Sequence, residues 1–196
     1  MKILRQILRK IKYNLKFLNK NETVKLNYTV NSSSNSKLTN LMNLYGSDKG
    51  GRNNHHNYSD FYSELFFNKR KDIKNFLEIG LGTNNTNMPS NMGENGVPLA
   101  SLKAWRDFFE NANIYGADID RAILKNEERI KTFYVDQTDP EKIQTMFKNI
   151  GVEKFDIILT GGLAHLFKNS LDYKVKIDKD LTMLGLLKVA KEEYEQ

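Results

Sequence analysis

From residue 75 onward the chain alternates short apolar runs with stretches of helical spacing, and no other feature limits its possible folds as much. Residues 75–80 (NFLEIG), 113–118 (NIYGAD), 132–136 (TFYVD) and 155–160 (FDIILT) read as strands. Between the first two, residues 98–109 place Leu102, Trp105, Phe108 and Phe109 on one side of a helix, with Pro98 in its first turn and Trp105 as a core side chain. Asp139 followed by Pro140 caps a second helix that runs to Ile150, where Gly151 stops it. Residues 121–131 read as a weaker helix. Strands alternating with helices pack as a parallel sheet joined by right-handed crossovers, so the expected class is α/β, a doubly wound, Rossmann-like parallel sheet.

Upstream of this body the pattern changes. Residues 1–20 carry seven Lys/Arg (Lys2, Arg5, Arg9, Lys10, Lys12, Lys16 and Lys20) and no acid. Ile3, Leu4, Ile7, Leu8, Ile11, Leu15 and Leu18 recur among them at helical spacing. Such a basic amphipathic helix suits an anionic membrane surface, or docking on its own domain or on a partner. No apolar run reaches the length of a signal-peptide core or a membrane span. Residues 21–40 are polar and read as a linker, which leaves 41–196 as the main domain.

The location of the charge decides what it means. The net charge of +6 arises in the first twenty residues, because the rest holds 23 basic and 24 acidic side chains. A neutral body argues against an extended nucleic-acid groove. With no cysteine, disulfide scaffolds, Cys-ligated zinc and thiol nucleophiles are excluded, and a reducing, cytoplasmic setting is permitted. Peripheral membrane contact through residues 1–20 is the alternative location.

Open parallel sheets bind ligands outside the carboxyl ends of their strands, at the point where strand order reverses. Each strand end here carries candidates. Glu78-Ile79-Gly80-Leu81-Gly82 ends the first strand, and its glycines permit a tight turn and close approach to a ligand. A dinucleotide fingerprint would need a third glycine at position 85, where Asn85 stands. Asp118 ends the second strand, placed to accept from a ribose diol, while Asp120 reads as a surface acid or cap. Asp136 and Gln137 follow the third strand, where Asp136 is placed to accept from an adenine amino group. Asp139 is more simply a helix cap. The loop of residues 81–97 is long for a strand-to-helix connection, and reads either as a binding loop, with Met88 and Met92 at an entrance, or as an exposed insertion.

Together these residues resemble class I S-adenosylmethionine (SAM)-dependent methyltransferases. Among them the chain is similar to the macrolide-sugar O-methyltransferases of mycinamicin type and to cephalosporin-hydroxylase-like proteins. The likeness runs through Gly46-Ser47-Asp48-Lys49-Gly50, His56-Asn57-Tyr58, the 78–82 turn, residues 100–109, the GADID acid and residues 129–139. It implies Gly80 and Gly82 against the methionine end of SAM, Asp118 on the ribose, and Asp136 with Gln137 flanking the adenine. Glu78 would anchor the glycine turn or reach the methionine amine through water. His56 and Tyr58 would belong to a segment closing over the cofactor, or else form a local turn with ring packing.

The resemblance weakens toward the C-terminus. The family pattern places two aspartates and then Gly-x-His at the fourth strand end, and this chain has Thr160, Gly161 and a displaced His165. Neither replacement offers a carboxylate, so the magnesium implied by the family lacks its expected oxygen ligands, and no metal ligand is assigned. His165 is the candidate catalytic base, against a surface-histidine reading. The 31 residues after His165 are too few for the closing strands of a seven-stranded sheet, which suggests a C-terminally truncated or diverged member. The expected function is SAM-dependent methyl transfer to a hydroxyl of a sugar or other small acceptor. A catalytically inactive SAM-binding relic or interaction module is the alternative. The expected partner is a small-molecule acceptor and not a nucleic acid; contact through residues 1–20 and homo-oligomerisation are left open.

Overall fold

The computed structural model describes residues 36–51, 58–88 and 91–159, with the side chain of Tyr58 excepted. The basic segment 1–20, residues 21–35 of the expected linker, His56, Thr160, Gly161, His165 and the C-terminal segment lie outside the described residues.

The first described helix, α1 (Lys37–Tyr45), starts inside the last residues expected as linker. Ser36 sets its start, since its hydroxyl accepts from Thr39 N at 3.1 Å and satisfies an otherwise unpaired amide. Gly46, with φ of 82°, ends it in a left-handed turn, where Ser47 N donates to Met42 O at 2.8 Å. A single 3₁₀ turn (Asp48–Gly50) follows, capped by Ser47, and then α2 (Tyr58–Phe67).

The body then follows the alternation read from the sequence. Strand β1 (Asn75–Ile79) leads through the long loop to α3 (Ala100–Phe108) and then β2 (Asn113–Asp118). Strand β3 (Ile130–Tyr134), helix α4 (Pro140–Ile150) and strand β4 (Ile157–Leu159) complete the described residues. Among the described residues the four strands pair in parallel, in the order β3-β2-β1-β4. The chain steps outward from β1 to β3 and then returns to the other side of β1. Strand order therefore reverses between β1 and β4, the place where such sheets leave a crevice.

Strand periodicity divides the core in two. Phe76, Ile114 and Ile130 face α1 and α3, where Leu38, Met42, Leu102, Phe108 and Phe109 close around a fully buried Trp105. The indole stacks on Phe109 at a centroid distance of 5.6 Å and meets Phe76 at 4.8 Å. Leu77, Ile79, Tyr115, Ala117 and Val135 face the other way, against Ile143 and Met146 of α4. Each large apolar side chain fully buried in these layers contributes roughly 1.5–3 kcal/mol. At Gly116 the helix layer comes so near the sheet that a Cβ would lie 2.5 Å from Leu102 Cδ1. This glycine sets how closely α3 can pack.

The crossover from β2 to β3 corrects the sequence reading. Instead of a helix over 121–131 there is one 3₁₀ turn (Arg121–Ile123), capped by Asp120, and then extended chain. Arg129 adopts φ of 56° beside the isolated bridge between Glu127 and Ile130. Its guanidinium donates to Arg106 O at 3.0 Å, Phe109 O at 3.2 Å and Ala112 O at 2.9 Å. Those carbonyls close the end of α3, so tertiary hydrogen bonds outweigh a helical tendency that had no apolar stripe behind it. Strand β3 also starts two residues earlier than the spacing predicts, which moves Asp136 off the strand into the loop beyond it.

Candidate functional site: a cavity at the carboxyl edge of the sheet

A cavity of about 480 Å³ opens where the carboxyl ends of β1, β2 and β3 converge. Gly80, Gly82, Asp118, Asp136 and Gln137, five of the residues singled out from sequence, line it together. Ile79, Leu81, Ala117, Ile119 and Val135 give it an apolar wall. Ile119 is 47% exposed and leaves apolar surface open on this wall.

The glycine turn is shaped by its backbone. Gly80 and Gly82 have φ of 81° and 83°, a left-handed conformation that costs any L-residue. A Cβ at Gly80 would meet nothing within 4 Å, whereas one at Gly82 would lie 2.7 Å from Met92 Cγ. The first glycine thus leaves open space, and the second lets the long loop fold back. The described residues of that loop bond one another through side chains and backbone. Asn85 N donates to Thr83 Oγ1 at 3.0 Å, Asn91 Nδ2 to Met88 O at 2.7 Å, and Met92 N to Thr83 O at 2.7 Å. Met88 and Met92 both line the cavity.

Asp118 is 7% exposed and braces this turn. Its Oδ2 accepts from Leu81 N at 2.7 Å and Gly82 N at 3.3 Å, and its Oδ1 accepts from Asp120 N at 2.9 Å. An ionised carboxylate offers about four acceptor positions, so one stays available toward the cavity. Asp120 is the cap read from the sequence: it accepts from Ala122 N at 2.9 Å and from the Thr83 hydroxyl, and the latter holds its carboxyl below the usual range. Asp136 accepts from Thr138 Oγ1 at 2.6 Å and Thr138 N at 3.0 Å, and these bonds keep it below the ordinary carboxylate range. Asp139 caps α4 through Glu141 N and Lys142 N, as its position before Pro140 predicts.

Glu78 is not among the described residues that line the cavity, and its side chain bonds to other elements. At 2% exposure it accepts from Ser101 Oγ of α3 at 2.7 Å and pairs with Lys49 Nζ at 3.6 Å. Burial pushes its carboxyl above the ordinary range, with Lys49 and Ser101 opposing. Of the other residues singled out, Tyr58 opens α2, while His56 and His165 fall outside the description. Sequence reasoning gave no role to Asp48 and Lys49, which line the cavity from the 3₁₀ turn, nor to Thr83, Asn91, Ile119 and Thr138. Only the stretch Gly46–Gly50 in the resemblance pointed toward the first two. Among the described residues no three His, Asp or Glu side chains converge as a metal-ligating group, and no helix is long and apolar enough to cross a membrane.

A parallel sheet of order β3-β2-β1-β4, with its cavity beside a glycine turn and two strand-end acids, defines a Rossmann-like α/β domain of the class I methyltransferase type. No family model matches the chain. It is 30% identical over 125 residues to the 8-demethyl-8-alpha-L-rhamnosyl tetracenomycin-C 2'-O-methyltransferase of Streptomyces olivaceus, covering 64% of this chain and 30% of that protein. It is 30% identical over 131 residues to the demethylmacrocin O-methyltransferase of Streptomyces fradiae, covering 67% of this chain and 30% of that protein. In structure it is similar to the MycE methyltransferase from the mycinamycin biosynthetic pathway in complex with Mg and SAH. That match has a TM-score of 0.52 and 27% identity over 69% of this chain and 35% of MycE. The chain is a relative of the SAM-dependent methyltransferases of mycinamicin type. It spans about 30% of the length of these curated relatives.

Proposed function

We propose that this chain binds SAM in the carboxyl-edge cavity and serves methyl transfer to a hydroxyl of a sugar or similar small acceptor. One observation carries the reading: the ends of three successive strands supply a glycine turn, a braced acid and an acid–amide pair to a single cavity. Gly80 and Gly82 leave room for the methionine end and the sulfonium. The free acceptor position of Asp118 suits a ribose hydroxyl. Ile119 and Val135 offer apolar surface for the adenine, with Asp136 and Gln137 at its polar edge.

When bound, SAM supplies an electrophilic methyl: the S–CH₃ bond breaks with its electron pair left on sulfur as the O–CH₃ bond forms. The protein's part is to hold the acceptor oxygen in line with that bond and to take its proton. His165 is the candidate for the second task on sequence grounds. No magnesium ligand is assigned to this chain. The described residues hold no ligand cluster, and Thr160 and Gly161 lack the carboxylates that a hard cation prefers.

Calorimetric titration of the full chain with SAM tests the cavity without a known acceptor. Saturable 1:1 binding that Asp118→Ala weakens supports the reading. Absence of binding overturns it. Methylation of rhamnosyl and related glycosides then separates an active enzyme from a binding module.

A further inference from the structure

The turn between α2 and β1 lies at the amino ends of the strands, the end of the sheet away from the cavity. Residues 68–74 (NKRKDIK) hold four basic side chains and one acid. Lys69, Lys71, Asp72 and Lys74 are exposed, and Ile73 alone is buried, so one residue anchors the turn. Its backbone is fixed: Lys69 N donates to Phe66 O, Asp72 N to Lys69 O, and Asn111 Nδ2 to Lys71 O, each at 3.0 Å. Among the described residues no carboxylate forms an ion pair with Lys69, Lys71 or Lys74. Two acids nearby are engaged. Glu110, which also feels the charges of Lys71 and Arg70, pairs with Lys37 Nζ at 2.8 Å. Asp156 accepts from Lys74 N at 2.7 Å and from Asn75 N at 3.0 Å.

Beside these lysines stands an aromatic ring. Phe67, the last residue of α2, is 44% exposed, with the Arg70 guanidinium 4.0 Å from its ring centroid. Arg70 Nη1 also donates to Phe67 O at 2.6 Å, which holds the cation over the ring. An exposed aromatic flanked by unpaired cations matches the chemistry of a bilayer interface, where a ring sits at headgroup level and lysines meet acidic lipid. A nucleic acid would find no continuing basic track, because residues 21–196 hold 23 basic and 24 acidic side chains. We propose that the 67–74 turn docks the domain on an anionic bilayer, Phe67 entering the headgroup layer and Lys69, Lys71 and Lys74 pairing with acidic lipid. The cavity then lies at the far end of the sheet from the membrane. This assignment stands apart from the cofactor reading.

Residues 1–20 are a second basic stretch, so the test must read the turn itself. The chain's single tryptophan, Trp105, is fully buried, and Phe67→Trp therefore places a reporter in the proposed contact. The full chain carrying Phe67→Trp is mixed with phosphatidylcholine vesicles that contain brominated phosphatidylcholine, with and without about 30% phosphatidylserine. Quenching is expected on the anionic vesicles alone, with release at about 0.5 M salt. Adding Lys69→Gln, Lys71→Gln and Lys74→Gln should raise the lipid needed for half-maximal quenching about tenfold or more. The salt series on Phe67→Trp alone asks the same question without the glutamines. Vesicle binding by co-sedimentation without quenching would assign the contact to another segment and overturn the proposal. Equal quenching on neutral vesicles, or quenching that neither salt nor the glutamines weaken, would do the same. Quenching of Trp105 in the unaltered protein would show the domain unfolding on lipid, and would also overturn it. So would a duplex oligonucleotide that shifts the Phe67→Trp emission where vesicles do not.

Discussion

The carboxylate of Asp118, the last residue of β2, accepts a hydrogen bond from the amide of Leu81 at 2.7 Å, and so ties one strand end to the glycine turn of its neighbour. The turn's geometry therefore belongs to two strands. Asp118→Ala would leave three backbone donors without this acceptor, and should cost about 1–3 kcal/mol of stability. It should also weaken SAM binding by about tenfold or more. Urea denaturation and calorimetry on the same preparation check both. Unchanged affinity would remove Asp118 from the site.

The two glycines of the turn should respond differently. Gly80→Ala meets only the backbone cost of its left-handed φ, roughly 1–2 kcal/mol. Gly82→Ala meets that cost and also drives a Cβ to 2.7 Å from Met92 Cγ. The expected outcome is a larger loss of stability for Gly82→Ala, accompanied by faster amide hydrogen exchange at Met92, whose N donates to Thr83 O. Equal effects would mean that the loop does not pack on the turn.

Arg129 binds three carbonyls near the end of α3 from a crossover that has no helix of its own. Arg129→Ala should destabilise the domain by about 2 kcal/mol or more, since charged hydrogen bonds are each worth about 1.5–3 kcal/mol. Arg129→Gly relieves the positive φ and should recover only part of that loss. Arg129→Lys should not rescue, because one ammonium cannot reproduce the planar fork. Chemical denaturation of the four proteins measures the order.

Asp136 has a folded-state carboxyl pKa below its ordinary value because the Thr138 hydroxyl and then its amide donate to it. A depressed acid contributes stability that is present above the unfolded pKa of about 3.9 and is lost as pH falls through the folded value. Thr138→Val removes the hydroxyl and should move the Asp136 titration up toward about 3.9. It should also flatten the acid limb of the stability curve. Carbon-13 NMR titration of the side-chain carboxyl reads the first effect. No movement would mean that the amide alone sets the value.

Much of the fold was legible because it is written in local patterns. Residues 113–118 form the strand expected from them, Asp139-Pro140 and Gly151 bound α4 where capping chemistry places them, and Trp105 is a core side chain. The helix expected over 121–131 failed because nothing in that segment's own sequence shows that Arg129 will bind the carbonyls of a distant helix end. The same limit applied at the site. Gly80, Gly82, Asp118, Asp136 and Gln137 sit at or just beyond strand ends, where the pattern alone places candidates, and the structure gathers them around one cavity. Lys49 had no such signal, since Glu78 lies 29 positions away and only folding brings their charges together.

The sequence by itself determined the alternation of strands and helices, the positions of the caps and the identities of the strand-end acids, because these depend on neighbours a few residues apart. Tertiary structure alone decided that Asp118 braces the glycine turn, that Glu78 meets Lys49 and Ser101, and that the β2–β3 crossover stays extended. Those outcomes depend on hydrogen bonds and ion pairs between residues far apart in the chain, whose energies no local pattern contains.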